Sequence, residues 1–371
     1  MKILFVTTIS PTIGFLIPHI KWLTEQGNQV DVAFNITREV DNELLVLGCK
    51  IYNIQFQRKP LKKQNYYAYK NIKKLIKEGN YDLVHTHTPV ASSLTRLACR
   101  NVPGIKVLYT AHGFHFYKGA PVKNWMLYYT AEKWLSRYTD CIITMNEEDY
   151  EKVAKSFNCK CIKFVNGVGI DLNKFMPQSS ERKHMLRKEY GYNENDFILI
   201  SVGELNYNKH QDLLIDVIDL LKNKIPSIKL LIAGTGDILS QYQKRVNKLG
   251  IQKNVELLGF RNDIANLALL SDVAVSASRR EGLPVNVMEA MATGLPLVVT
   301  DCRGNRDLVS DQENGYVVGI DDVKGFAEAI EILHNSAEIR ENFGRRCLEI
   351  VNSYSLDKVM AEMKQIYLEY L

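Results

Sequence analysis

The chain has 371 residues, of which 46% are hydrophobic and 24% are charged, and this composition is typical of a globular protein with two domains. No apolar run approaches the roughly 18 residues that span a bilayer, and the first residues lack the pattern of a secretory signal. These features argue against a membrane transporter and a secreted disulfide-rich domain. We expect a cytoplasmic protein whose seven scattered cysteines are reduced thiols.

Charge is unevenly distributed along the chain. Residues 1–175 hold 24 of the 47 basic and 14 of the 42 acidic residues, a net charge of +10, and the rest carries a net charge of −5. Residues 58–77 interleave lysine with tyrosine, and residues 124–137 combine basic and aromatic side chains. Such mixtures suit an anionic membrane surface or single-stranded nucleic acid, and they also occur on ordinary helices packed on a core. We favour the membrane and expect no nucleic-acid partner, because no RNA-binding module accompanies the charge.

Eleven short apolar runs alternate with helical segments. In chain order these runs are 2–8, 29–35, 81–85, 106–111, 141–145, 163–166, 197–203, 229–233, 255–258, 272–277 and 297–300. Strands that alternate with helices form parallel sheets, so the two sets predict two Rossmann-like lobes. A linker is predicted at 175–180, and an amphipathic segment at 356–371 ends the chain.

Ligands of open parallel sheets bind beyond the carboxyl ends of the strands. In the first half, Gly14 follows the first predicted strand and His112 follows the fourth. No G-x-G-x-x-G follows the first strand, which argues against an NAD site. His112 is either a catalytic or substrate-orienting imidazole or a loop histidine without a role. The spacing of His85, His87, His112 and His115 matches no common metal site, so we expect no metal.

The strongest single signal follows the strand at 272–277. Pro284 opens a predicted helix at 285–293, and proline is tolerated there because its missing N–H would be unpaired anyway. The amides at Gly282 and Leu283 then form an anion site that suits a diphosphate. Two acids, Glu281 and Glu289, bracket this site. Carboxylates repel phosphate and accept hydrogen bonds from sugar hydroxyls, so the pattern predicts a nucleotide-sugar, although solvated acids beside an ordinary helix would look the same.

Other loops of the second half add polar and glycine residues to the same edge. Lys209 follows the strand at 197–203, where it would neutralise a diphosphate or simply lie in solvent. Gly234 and Gly236 form a glycine turn after the strand at 229–233. The resulting rim suits a nucleotide.

Taken together, the motifs resemble the retaining glycosyltransferases of family four, which have the GT-B fold. The segment EGLPVNVMEAMATGLPLVVTD at 281–301 is similar to the Glu-x7-Glu signature of that family. Further resemblance lies in GELNYNK (203–209), AGTGD (233–237), LLGFRND (257–263), NGVGIDLNKF (166–175) and ENGYVV (313–318). The segment TAHGFHFYKG at 110–119 resembles members that build bacterial capsule, exopolysaccharide or O-antigen units.

The resemblance implies an α/β protein of two Rossmann-like lobes with parallel sheets and a cleft between them. Residues 1–175 would bind the acceptor, residues 176–355 would bind the sugar-nucleotide donor, and the helix at 356–371 would cross back to the first lobe. His112, Lys209 and Glu281 would be catalytic. The residues implied in donor binding are Gly14, Glu204, Lys209, Gly234, Gly236, Phe260, Arg261, Glu281, Gly282, Leu283, Pro284, Val285 and Glu289.

The implied reaction transfers a sugar from a UDP- or GDP-sugar to an undecaprenyl-diphosphate-linked saccharide, with retention of configuration. The protein would be attached peripherally to the inner face of the plasma membrane. No Asp-x-Asp motif follows a strand, so we expect neither a metal nor a cofactor. Two alternatives are a sugar-nucleotide epimerase or hydrolase, which needs no acceptor, and a non-catalytic sugar-nucleotide-binding protein.

The sequence departs from the family at one position of the predicted donor site. Many relatives have arginine where Glu204 stands, as a partner of the lysine on the diphosphate. Either Arg261, Arg279 or Arg280 substitutes for it, or the diphosphate depends on Lys209 and the helix dipole.

Overall fold

The computed structural model describes all residues from Met1 to Leu371 and divides them into two compact units. The first unit comprises residues 1–168 and 357–371, and the second comprises residues 169–356. The division predicted from the sequence lies between residues 175 and 176. Each unit contains one fully parallel sheet.

The first unit is built on seven strands with helices between them. The strands are β1 (Lys2–Ile9), β2 (Gln29–Asn35), β3 (Ile51–Asn53), β4 (Leu83–His87), β5 (Lys106–Ala111), β6 (Cys141–Thr144) and β7 (Cys161–Phe164). The helices are α1 (Ser10–Ile13), α2 (Ile17–Glu25), α3 (Glu43–Val46), α4 (Gln64–Gly79), α5 (Pro89–Cys99), α6 (Val122–Asn124), α7 (Thr130–Leu135) and α8 (Glu147–Ser156). A π-helical turn, Trp125–Tyr129, joins α6 to α7. The strand order is β3-β2-β1-β4-β5-β6-β7.

Both faces of this first sheet are covered, because successive side chains of β1 point to opposite faces and those of residues 3–6 are all apolar and buried. Ile3 and Phe5 belong to one core cluster, and Leu4 and Val6 belong to another on the opposite face. The strand therefore reads as a continuous hydrophobic run.

The second unit repeats the arrangement with six strands. These are β8 (Phe197–Val202), β9 (Ile228–Ala233), β10 (Val255–Gly259), β11 (Val273–Ser276), β12 (Leu297–Thr300) and β13 (Gly315–Val318). The helices are α9 (Ser180–Tyr190), α10 (Gln211–Leu221), α11 (Leu239–Leu249), α12 (Ile264–Leu270), α13 (Val285–Ala292), α14 (Arg303–Leu308), α15 (Val323–Asn335) and α16 (Ala337–Val351). The strand order is β10-β9-β8-β11-β12-β13.

The last helix, α17 (Leu356–Leu368), packs on the first unit. Its apolar residues recur with a helical period and join the same core cluster as Ile3 and Phe5. These residues are Val359, Met363, Ile366 and Tyr367, all buried. None of the helices combines the length and apolar character needed to cross a bilayer.

All eleven predicted strands are confirmed, each within two residues at either end. The structure adds β3 and β13, which the sequence analysis did not predict. Both are the outermost strands of their sheets and both are short and only partly buried, so they lack the continuous apolar pattern that marks an interior strand. The fourth strand, β4, ends at His87 rather than at residue 85.

The aromatic residues of the 124–137 segment divide between core and surface. Trp125 and Tyr129 pack against Phe116, at ring-centroid distances of 5.6 and 5.3 Å. Met126 and Trp134 are instead exposed, with exposed fractions of 73% and 40%. The core-packing interpretation of this segment is therefore confirmed for Trp125 and Tyr129, and the exposed side chains leave membrane attachment as a prediction.

Candidate functional site

The two sheets have the same topological feature, a point at which the strand order reverses. It lies between β1 and β4 in the first unit and between β8 and β11 in the second. Ligands of such sheets bind beyond the carboxyl ends of the strands at this point. We therefore expect ligand-binding residues in the loops that follow these four strands.

In the second unit, two hydrogen bonds connect the loops that follow β8 and β11. The backbone N–H of Arg279 donates to the carbonyl of Asn208 at 2.8 Å, and the side-chain amide of Asn208 donates to the carbonyl of Arg280 at 2.9 Å. These bonds bring the Lys209 Nζ within 2.7 Å of the Glu281 Oε1. The structure thus joins two of the predicted catalytic residues in one ion pair, with side-chain exposures of 21% and 12%.

Helix α13 begins next to this ion pair. Pro284 caps it in an extended conformation, and Asn286 anchors it by donating from its Nδ2 to the carbonyl of Val202 at 2.9 Å. The backbone N–H groups of four residues donate to no acceptor within the protein. These residues are Gly282, Leu283, Val285 and Asn286. Free amides at a helix start, together with the helix dipole, favour an anion.

Glu289 lies one turn into α13, and burial and the charge of Lys174, rather than a hydrogen bond, act on its carboxylate. Burial raises its pKa to about 7, although Lys174 opposes that rise. Its side chain lines a narrow pocket, whose other walls come mainly from apolar residues of β8, β11, β12, α12 and α13. A partly buried acid without a partner, facing an otherwise apolar pocket, is suited to accept hydrogen bonds from a ligand.

Gly234 and Gly236 serve the packing of the loops. A Cβ at Gly234 would lie 1.9 Å from the carbonyl oxygen of Gly203, and a Cβ at Gly236 would lie 2.0 Å from that of Leu205. Their lack of a side chain therefore lets the loop after β9 lie directly on the loop after β8. This gives both glycines a structural reason that is independent of a ligand.

The remaining predicted donor-binding residues lie at the same edge of the sheet. Glu204 is exposed just past β8, and Phe260, with an exposed fraction of 60%, follows β10. The Arg261 Nε donates to the Asp263 Oδ1 at 2.8 Å. Two of the three candidate substitutes for the missing arginine thus have carboxylate partners, since Arg279 pairs with an aspartate, Asp321, at 2.8 Å.

In the first unit, the predicted residues Gly14 and His112 follow β1 and β5, which are separated by β4. Gly14 is helical, and a Cβ there would meet no atom within 4 Å, so the space beside it is open. His112 is half-buried, and burial lowers its pKa to about 4. The Nε2 of His112 lies 3.1 Å from the Nδ1 of His87.

The contact between His87 and His112 is not predicted from the sequence. The predicted strand ended at residue 85, which left His87 in a loop and without a role. In the structure, His85 and His87 are both buried in β4. The signal was present in the sequence as HTH, because alternate residues of a strand share one face, but polar histidines do not register as a buried apolar run.

No group of three or more His, Cys, Asp and Glu side chains converges as the ligands of a metal ion do. All seven cysteines are free.

Comparison with known proteins gives two family models that match the chain in succession. The first, glycosyl transferase 4-like, matches residues 2–146, and the second, glycosyl transferases group 1, matches residues 183–348. EpsD of Bacillus subtilis is 42% identical over 375 residues, which cover 100% of this chain and 97% of EpsD. The UDP-Gal:alpha-D-GlcNAc-diphosphoundecaprenol alpha-1,3-galactosyltransferase of Escherichia coli is 30% identical over 304 residues, which cover 80% of this chain and 77% of that enzyme.

Two solved structures show the same fold at low sequence identity. HepE of Anabaena, in complex with UDP and glucose, superposes with a TM-score of 0.80 at 18% identity over 100% of both chains. The sucrose-phosphate synthase of Thermosynechococcus elongatus has a TM-score of 0.82 at 17% identity, over 100% of this chain and 98% of that one. The matched families, the relatives and the two parallel α/β domains agree, and the chain belongs to the group 1 glycosyltransferases of family four, with the GT-B fold.

Proposed function

We propose that this glycosyltransferase moves a sugar from a UDP- or GDP-sugar to a polyprenyl-diphosphate-linked saccharide, with retention of configuration and without a metal ion. The observation that carries the proposal is the ion pair of Lys209 and Glu281 beside the free amides at the start of α13. It places a cation, several N–H donors and a carboxylate within one small region. A sugar diphosphate needs all three kinds of group.

The diphosphate would accept hydrogen bonds from the amides of Gly282 and Leu283 and would lie against the ammonium of Lys209. As the bond between the sugar and the diphosphate breaks, negative charge grows on the departing phosphate. Fixed donors and a cation stabilise that charge without reorganisation. No Mg²⁺ is then needed, and added EDTA should leave the transfer rate unchanged.

The two acids of the signature would bind the two sugars of the donor. Glu281 is positioned to accept hydrogen bonds from the hydroxyls of the transferred sugar, and Glu289 from those of the ribose. The carboxylate of Glu289, which is mostly buried and one turn further along α13, supports this division, because it needs a donor that the protein does not supply. Since neither acid is needed as a nucleophile, we propose attack on the same face as departure, with the leaving phosphate oxygen taking the acceptor proton.

The acceptor class is proposed from one relative. The Escherichia coli enzyme acts, by its name, on a sugar linked to diphosphoundecaprenol. A related acceptor here would place the protein in the assembly of surface polysaccharides such as capsule or exopolysaccharide.

Thermal unfolding is the first test of the donor class. A nucleotide at about 100 times its dissociation constant adds about 2.7 kcal/mol to the free energy of unfolding, which raises the midpoint by a few degrees. We expect UDP or GDP to produce this shift and ADP and NAD to produce none. A transfer assay with the matching sugars and a polyprenyl-diphosphate-linked saccharide then identifies the product, and NMR of its anomeric proton gives the configuration. Turnover without any acceptor would instead indicate an epimerase or hydrolase.

Peripheral attachment to an anionic membrane is the second part of the proposal. Residues 122–137 of the first unit expose apolar and basic side chains on one segment. The apolar ones are Val122, Met126, Leu127 and Trp134, and the basic ones are Lys123, Lys133 and Arg137. Exposed apolar side chains next to cations are typical of interfacial attachment.

Met126→Glu should reduce binding to vesicles of phosphatidylcholine and phosphatidylglycerol about tenfold or more, because burying a methionine side chain is worth about 1.5–3 kcal/mol. Co-sedimentation with the vesicles measures this. Val46→Glu is the matched control, since Val46 is 85% exposed elsewhere in the same unit. Binding that is equal in the two variants, or that ignores phosphatidylglycerol, would contradict the assignment of this surface.

A further inference from the structure

The end of β4 in the first unit is unusually constrained. Thr88 directly follows His87 and has a φ of 65°, a conformation that is rare for a β-branched residue. Its hydroxyl accepts a hydrogen bond from the backbone N–H of Thr8 at 3.0 Å and lies 2.7 Å from the hydroxyl of Thr8. The same hydroxyl also donates to the carbonyl of His87. These contacts fix the residue next to His87 at the point where the strand order reverses.

The imidazole of His87 is fixed as well. It is 2% exposed, it stacks on Phe5 at a centroid distance of 6.1 Å and an interplanar angle of 13°, and it lies 4.2 Å from the ring of His85. Its Nδ1 faces the Nε2 of His112 at 3.1 Å. Its Nε2 is buried without any hydrogen-bond partner. The only polar contact of this ring is therefore with His112.

This contact decides where the protons lie. Burial and the neighbouring histidines hold the pKa of His87 well below its usual range, and burial lowers that of His112 to about 4, so both rings are neutral at physiological pH. A neutral ring has one N–H and one lone pair. If the proton of His87 were on Nε2, a buried N–H would have no acceptor, and orphaned donors are rarer in proteins than under-used acceptors. The proton of His87 therefore belongs on Nδ1, where it is donated to the Nε2 of His112.

We propose that His87 is a positioning residue that holds His112 as its Nδ1–H tautomer, so that His112 presents a fixed hydrogen-bond donor to a substrate oxygen at the carboxyl end of β5. The inference rests on the proposed function of sugar transfer and on the substrate-orienting role that the sequence predicts for His112. It assigns His112 an orienting task rather than that of a proton acceptor. The Nδ1 of His112 has no partner within the protein that would compete with the substrate.

Nitrogen-15 NMR of the histidine side chains tests the tautomer without any substrate. We expect His112 to show the Nδ1–H form in the wild-type protein. Asparagine and leucine have nearly the same shape, but only asparagine can donate at the place of Nδ1. In His87→Asn, His112 should therefore keep its Nδ1–H form. In His87→Leu, His112 should populate both tautomers. His85→Leu is the control, because His85 bonds Thr110 and Tyr367 and not His112.

Kinetics give the second measurement. His87→Leu should lower kcat for transfer about 10- to 100-fold, with the KM for the donor changed much less, and His87→Asn should recover most of the rate. A wild-type His112 that carries its proton on Nε2, or a tautomer that is unchanged in His87→Leu, overturns the proposal. If the wild-type protein transferred no sugar from any UDP- or GDP-sugar, the proposed function would be contradicted instead. The NMR measurement would still show whether His87 sets the tautomer of His112.

Discussion

Lys209→Met is expected to lower kcat for sugar transfer about 100- to 1,000-fold, the usual loss when one preorganised group that stabilises a developing charge is removed. Methionine keeps the length and the apolar stem of lysine but cannot balance the charge on the departing diphosphate. The dissociation constant of the donor should change less, because that charge is larger in the transition state than in the bound donor. Steady-state kinetics with a saturating acceptor separates the two effects.

A double-mutant cycle distinguishes this role from a purely structural ion pair. Lys209→Met leaves the carboxylate of Glu281 without its partner, which could damage the loop by itself. Glu281→Gln in the same chain removes the uncompensated charge. If the unpaired carboxylate of Glu281 were the only cause of the lost activity, the double variant would be as active as Glu281→Gln alone. We expect the double variant to recover stability and to remain about 100-fold or more less active than Glu281→Gln alone.

A second ion pair in the same unit provides a closely matched control. Lys183 and Asp272 lie 2.7 Å apart, with side-chain exposures of 22% and 11% that nearly equal those of the pair at Lys209. Asp272 precedes β11, so it lies at the end of that strand opposite to the site. Lys183→Met should lower the unfolding midpoint without lowering kcat. If kcat fell equally in both lysine variants, the loss at Lys209 would be explained by lower stability alone. That result would contradict the assignment of Lys209 to the site.

The sequence predicted the architecture well because most interior strands are runs of apolar residues that end in glycine or polar loops. The strand at Phe197–Val202 is an example, since its side chains supply core clusters on both faces of the sheet. The edge strand Ile51–Asn53 was not predicted, because it has a neighbour on one side only and is partly exposed. A hydrophobic pattern marks a strand only where its side chains are buried, and the side chains of edge strands are the least buried.

The site was predictable to the extent that it follows from chain order. The placement of Glu281, Gly282 and Glu289 around one helix start depends only on a strand, a turn and a helix. The pairing of Glu281 with Lys209 was not predictable from spacing, because the two residues are 72 positions apart and meet through bonds between two loops. The pairing of His87 with His112 depends on the register of β4 and β5, which no local pattern specifies.

The affinity for the donor should depend on pH through the ionisation of Glu289. Its pKa of about 7 lies about 2.5 above the usual value, so the acid is mainly protonated at pH 6 and mainly ionised at pH 8. Ribose hydroxyls donate more strongly to a carboxylate than to a carboxylic acid. We therefore expect the nucleotide-sugar to bind up to about tenfold more tightly at pH 8 than at pH 6. Isothermal titration with UDP-glucose, or its GDP counterpart, measures this without a titrating phosphate in that range.

Folding stability should change with pH in the opposite direction. A carboxyl whose folded-state pKa is raised contributes stability that is complete below about pH 4.5 and is lost as the pH rises through about 7. The loss is at most about 3 kcal/mol, and partial exposure of the side chain makes it smaller. Glu289→Gln cannot ionise, so it should be more stable than the wild-type protein at pH 8 and equally stable at pH 5.

The combination of the two effects distinguishes a binding site from an accidental buried acid. Glu289→Gln should gain stability at pH 8, lose the pH dependence of donor binding, and lower the transfer rate. Glu256→Gln is the control, because Glu256 is a partly exposed acid of the same unit whose carboxylate accepts a hydrogen bond from Tyr192. It should keep the pH dependence of binding. Donor binding by Glu289→Gln that still follows pH between 6 and 8 would contradict the role of Glu289, because no ionisable group would then remain at that position.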